Sequence, residues 1–328
     1  MSAPILTVRD LRVHFAMPVG GWLRRRWLPL KAVDGVSFEL REGETLGVVG
    51  ESGCGKSTLG RAVLRLIEPT EGRIMWLGQD LRALDAEALR QKRRELQIVF
   101  QDPLAALDPR MTIGDIVAEP LITHERRLSR AEIKARVQDI MARTGLSPQM
   151  INRYPHEFSG GQCQRVGIAR AMILEPRLIV CDEPVSALDV SIQAQIVNLL
   201  MRLQRELGLS LLFISHDLSV VRHISQRILV LYLGRMMELA DRDSLYANPR
   251  HPYTKALISA VPIPNPRLER QKRRIVLTGD LPSPLDPPSG CVFRTRCPLA
   301  AEICAQQVPQ IEQIGRDHQV ACHRWQEV

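Results

Sequence analysis

Apolar and polar positions alternate along residues 5–15, where Leu6, Val8, Leu11, Val13 and Phe15 predict a first strand. Residues 33–40 and 45–49 read as two more strands, divided by a turn at 41–44, and residues 74–77 as a short one after Gly72. A charged, helix-like stretch at 87–95 leads into the apolar strand 96–100. Residues 104–175 are helical in texture, with Ile116, Val117, Ile133, Val137, Ile140 and Met141 at helical spacings, and read as an insertion into the core. Residues 178–181 predict a fully buried strand, 190–207 an amphipathic helix stopped by Gly208, and 211–214 the next strand. Strand, helix, strand implies a parallel sheet, hence an α/β fold. Apolar strands at 227–231 and 236–239 are expected to close the core.

Two segments break the pattern. Residues 17–30, with Gly20, Gly21, Trp22, Arg24, Arg25, Arg26 and Trp27, read as a solvated loop, contact with a membrane surface being the alternative. From about Asn248 prolines accumulate and the chain is expected to be loop-rich and strand-poor, with a boundary near 250 and little core of its own.

Composition narrows the class. A chain of 328 residues exceeds one typical core, and 45% apolar residues argue for a globular protein. A net charge of +8 suits an anionic neighbour, which could be nucleotide, nucleic acid or lipid headgroups. The start lacks a signal peptide and no apolar run reaches spanning length, so a cytosolic protein is expected, with membrane work left to partner subunits.

The chemistry begins at Gly50-Glu51-Ser52-Gly53-Cys54-Gly55-Lys56-Ser57-Thr58, which reads G-x-x-x-x-G-K-[ST] between a strand and a helix. Glycines let successive N–H groups turn toward a phosphate, and the following helix adds its positive end. Lys56 is expected to reach the β/γ oxygens and Ser57 to ligate Mg²⁺. Asp182 ends a buried strand, where a carboxylate can hold Mg²⁺, and Glu183 beside it is the natural base for an attacking water. Gln101 and His216 also end strands, and Gln101 could reach both metal and water. Ser159-Gly160-Gly161-Gln162 opens a helix and offers a second anion nest.

As an ordered set, Gly50–Thr58, Gln101, Ser159–Gln162, Asp182, Glu183, Ser186-Ala187-Leu188-Asp189 and His216 resemble the nucleotide-binding subunit of an ABC transporter. The resemblance spans residues 5–240. It implies a P-loop NTPase core of ABC type with an inserted helical subdomain at about 102–175, an antiparallel β portion and a loop-rich tail. It also implies ATP and Mg²⁺ as cofactors, Phe15 stacked on adenine, and Asp189 in the D-loop. Phe158 stands where many members have Leu. Segments 100–104, 152–158, 248–254 and 290–294 further resemble the ATPase subunits of bacterial oligopeptide/dipeptide permeases. That implies residues 1–250 as nucleotide-binding domain and 251–328 as an extension, a peripheral place on the cytoplasmic face of the inner membrane, and several partners. These are a second, distinct ATPase subunit, two transmembrane permease subunits and, indirectly, an external peptide-binding protein, with no nucleic acid. The helical insertion is expected to receive the permease subunits. Nickel, glutathione or another peptide-like cargo is the near alternative. A soluble ABC-type ATPase on nucleic acid or ribosomes is the distant one, and the absence of a second nucleotide domain or a long heptad run speaks against it.

Cys291, Cys297, Cys304 and Cys322 lie in the tail with five, six and seventeen residues between them. Four thiolates suit Zn²⁺ or a [4Fe–4S] cluster, and spacings wider than C-x₂-C lean toward the cluster, as does the permease resemblance. Four plain cysteines are the alternative.

Overall fold

The computed structural model describes residues 4–20, 26–262 and 265–328. The chain opens with β1 (Pro4–Val19), β2 (Arg26–Arg41), β3 (Thr45–Val49), α1 (Lys56–Val63), β4 (Glu71–Trp76), β5 (Gln79–Asp80), α2 (Ala86–Lys92) and β6 (Leu96–Val99). There follow α3 (Ile113–His124), α4 (Arg130–Arg143), α5 (Gly160–Met172), β7 (Leu178–Asp182), α6 (Val190–Leu207), β8 (Ser210–Ile214), α7 (Leu218–Ile224), β9 (Arg227–Tyr232) and β10 (Arg235–Asp241). The tail adds α8 (Arg242–Ala247), α9 (Pro252–Ala260), α10 (Pro266–Gln271), α11 (Glu302–Gln306), β11 (Glu312–Gly315) and β12 (His318–Val320). These elements form two compact units, one holding Arg41–Glu44 and Ala83–Ile214, the other Pro4–Leu40, Thr45–Arg82 and Ser215–Val328.

In the first unit β8, β7 and β6 lie side by side and parallel, with Leu96 opposite Leu178 and Asp182 opposite Ile214. Every residue of β7 and β8 is buried, as a strand covered on both faces requires. The crossover between them is α6, whose Ile196, Val197, Leu199, Leu200 and Leu203 are buried. It stops where Gly208 takes φ 63, a left-handed value that costs glycine no Cβ clash. The predicted insertion resolves into α3, α4 and α5. Thr112 caps α3, and Ser129 with Glu132 forms a capping box on α4.

In the second unit the strand order is β11-β12-β10-β9-β3, with β3 parallel to β9 and the remaining pairs antiparallel. A separate sheet runs β2-β1-β4-β5, with β4 antiparallel to both β1 and β5.

Two expectations are corrected. The solvated loop over 17–30 is strand at 17–19 and 26–30: β1 runs to Val19 and β2 starts at Arg26, while residues 21–25, with Trp22, Arg24 and Arg25, lie outside the described residues. Neighbouring strands can satisfy each other's backbone groups without burial, so Met17, Val19 and Trp27 stay exposed on a paired ribbon. The tail, in turn, is not short of core. Cys291, Val292, Phe293, Cys304 and Val320 are buried, and β12 pairs with β10 through Glu238–Val320 and Leu239–Gln319. A few apolar residues among the prolines suffice, because Phe293 packs against Tyr232 of β9 and Tyr253 of α9 while β12 pairs with β10.

Candidate nucleotide site

The phosphate loop lies in the second unit, between β3 and α1. Gly50 takes φ 155, and a Cβ there would stand 2.1 Å from the Leu231 carbonyl oxygen. Gly55, at φ 100, would place a Cβ 2.0 Å from the Ala32 carbonyl oxygen. Both positions are therefore closed to any side chain. The Lys56 ammonium is buried and donates to the carbonyls of Gly50 at 2.8 Å and Glu51 at 3.0 Å. The first turn of α1 carries no acidic residue and its N-cap no side-chain bond. A tight glycine cradle, a helix start left to backbone donors and a lysine folded over it suit a phosphate. Burial pushes the Cys54 thiol up, against the opposing Lys56 charge, so it serves as a neutral filler beside Gly50.

Glu51 makes contacts that its sequence neighbourhood does not suggest. Its N–H donates to the Tyr253 hydroxyl at 2.9 Å, and Arg296 Nη1 donates to its Oε2 at 2.7 Å. Neither partner carries a sequence signal for this role, since each lies more than 200 residues away. Ser57 and Thr58 are half-buried on the first turn of α1, Ser52 and Gly53 exposed at the loop's tip. Phe15 is exposed on β1.

In the first unit, Asp182 ends β7 with 1% exposure and Glu183 follows it. Glu183 holds φ 47, a left-handed backbone unusual for a residue with a side chain, and its N–H donates to the Ile214 carbonyl at 3.1 Å. Strain of this kind costs about 1–3 kcal/mol and gathers where a side chain must be aimed. Gln101, just past β6, donates from Nε2 to Glu183 Oε2 at 3.3 Å, so these two are brought together. Ser186 Oγ donates to the Glu183 carbonyl at 3.1 Å, and Asp189 stands exposed as the N-cap of α6.

Ser159 and Gln162 bond each other at the start of α5: the Ser159 N–H donates to Gln162 Oε1 at 2.9 Å and the Gln162 N–H to Ser159 Oγ at 3.4 Å. Gly161 is buried against Ile192, where a Cβ would come within 2.6 Å, while Gly160 is exposed. His216, in the second unit, is exposed past the end of β8, between Ser215, whose N–H donates to the Val48 carbonyl, and Asp217, the N-cap of α7.

The tail thiols gather loosely. Burial pushes Cys291 up to about 11 and Cys322 up to about 12, and neighbouring thiols add to both: Cys304 and Cys297 to the first, all three others to the second. Cys297 is raised in the same way. Among the described residues, however, no group of three or more His, Cys, Asp or Glu converges to hold a metal ion. The thiols as placed thus do not form a ready-made metal site.

Comparison with known proteins gives the family. A family model described as ABC transporter matches residues 33–186, and one described as oligopeptide/dipeptide transporter, C-terminal region, matches residues 237–304. The oligopeptide transport ATP-binding protein OppF of Salmonella typhimurium is 61% identical over 97% of this chain and 95% of its own length. The oligopeptide transport ATP-binding protein AppF of Bacillus subtilis is 56% identical over 97% of both chains. Among solved structures, a dimeric ATP-binding cassette in a post-hydrolysis state bound to ADP and Pi superposes with a TM-score of 0.64 at 30% identity, covering 72% of this chain and 98% of that one.

Proposed function

The chain belongs to the ABC transporter family, and from that premise we propose that it is the ATP-hydrolysing subunit of an importer for oligopeptides or dipeptides. The observation that carries the cargo class is that likeness does not stop at the ATPase core. It continues through the tail, in the C-terminal region of oligopeptide/dipeptide transporters. Residues 1–250 then act as the nucleotide-binding domain, with a helical subdomain at about 102–175, and 251–328 as the extension particular to this group.

In this reading Lys56 and the loop N–H groups hold the phosphates of ATP, Phe15 stacks on adenine, and Ser57, Gln101 and Asp182 hold Mg²⁺. The ion supplies charge neutralisation at the γ-phosphate. Glu183 accepts the proton of the attacking water, with Gln101 and His216 orienting it. Ser159–Gln162 and Asp189 serve the nucleotide of a second, distinct ATPase subunit. Among the described residues no helix is long and apolar enough to cross a membrane, and in this reading two transmembrane permease subunits form the path for cargo. The chain works from the cytoplasmic face of the bacterial inner membrane, and an external peptide-binding protein delivers cargo from outside. Affinity purification from solubilised membranes tests this: two permease subunits and a second ATPase are expected, with peptide-stimulated ATP hydrolysis in the reconstituted complex. Recovery with ribosomes or nucleic acid instead would overturn it.

A finer part of the reading is a metal centre, iron–sulfur or zinc, on Cys291, Cys297, Cys304 and Cys322. Its support is that the four thiols lie within electrostatic reach of one another. As no group of three such ligands converges among the described residues, the centre would have to be assembled by its metal. Protein purified without oxygen is expected to hold iron or zinc and to lose it in Cys297→Ser. Because binding must displace protons from thiols, among them Cys291, Cys297 and Cys322, which burial pushes up, retention should weaken as pH falls. Anaerobic protein with neither metal would leave four plain thiols.

A further inference from the structure

Glu51 is the phosphate-loop residue held by the far end of the chain. Its N–H is taken by Tyr253 at 2.9 Å and its carboxylate by Arg296 at 2.7 Å, with side chains 10% exposed for Arg296 and 27% for Glu51. A charge-assisted bond this sheltered is stronger than a surface ion pair. Its two anchors are themselves one piece. The rings of Tyr232, Tyr253 and Phe293 form a closed, buried triangle with centroid separations of 4.8, 5.2 and 5.3 Å. The Arg296 N–H donates to the Phe293 carbonyl at 3.0 Å, and its guanidinium lies 6.0 Å from the Tyr232 ring. Glu51 is therefore gripped at two points by a rigid aromatic block. The same residue offers its carbonyl, with that of Gly50, to the Lys56 ammonium. A shift of Glu51 must move the acceptors that aim Lys56.

We propose that Arg296 is a positioning residue for nucleotide binding: together with Tyr253 it fixes Glu51, and through Glu51 the phosphate loop and Lys56, so that the tail sets the affinity for ATP. The proposal rests on the reading that this loop binds ATP. It differs from simple docking of the tail, which would stabilise the fold without touching the nucleotide.

The test is equilibrium titration of ATP into the full chain, with a thermal melt of each variant. Arg296→Ala and Glu51→Gln are each expected to weaken ATP binding about 10-fold, equivalent to about 1.4 kcal/mol. The double variant should bind no worse than the weaker single one, because both changes break one connection. Arg296→Lys, which keeps the charge, should recover most of the loss. If Arg296→Ala does not fold, Glu51→Gln and Arg296→Lys still decide, since the first must weaken binding and the second must stay near wild type. A series that binds ATP like wild type while melting earlier overturns the proposal in favour of docking, and so do losses that add in the double variant. Wild-type protein that fails to bind ATP would sink the ATP reading itself, an outcome visible in the same titration.

Discussion

In Glu183→Gln, ATP still binds and hydrolysis falls by about 10²–10⁴-fold, the loss expected when a general base is removed. The substitution preserves size and the ability to meet Gln101, which now donates to Glu183 Oε2. Neither the backbone bond to Ile214 nor the buried Asp182 before it is disturbed. What disappears is the anionic oxygen able to take a proton from water. Single-turnover hydrolysis in the purified complex reads this directly. Turnover within a few-fold of wild type would remove Glu183 from the base role and send the search to His216.

Lys56→Ala acts on the other half of the reaction. Lys56 is 4% exposed and its ammonium donates to two loop carbonyls. Deleting a buried, hydrogen-bonded charge facing an anion costs about 2–5 kcal/mol. That corresponds to a Kd weaker by roughly 30-fold to several thousand-fold. Nucleotide titration checks it, with a melting curve to show that the fold survives. An unchanged Kd would mean that the loop amides alone carry the phosphates.

The two variants separate because the sequence separates the groups, and much of that was readable in advance. The phosphate loop, the buried strand ending on Asp182 and the helix running from Val190 to Leu207 are each specified locally, by glycine spacing, by an unbroken apolar run and by 3.6-residue periodicity closed with Gly208. Where such local rules do not act, the sequence is silent. The φ of 47 at Glu183 answers to the strand beside it, not to its neighbours in the chain. Arg296 and Tyr253 meet Glu51 across separations no periodicity can signal. Phe293 sits among prolines and basic residues that read as loop, and only the aromatic triangle explains why it is buried. The strand ends at 17–19 and 26–30 escaped notice for another reason: their residues are too mixed to alternate.

The pairing of β12 with β10 has a consequence for how the chain comes into being. Glu238 meets Val320, so the edge of β10 finds its neighbour only after about 80 further residues have been made. At roughly 5–20 residues per second that is a wait of about 4–16 s. Until then β10 presents an open edge to every other nascent chain nearby.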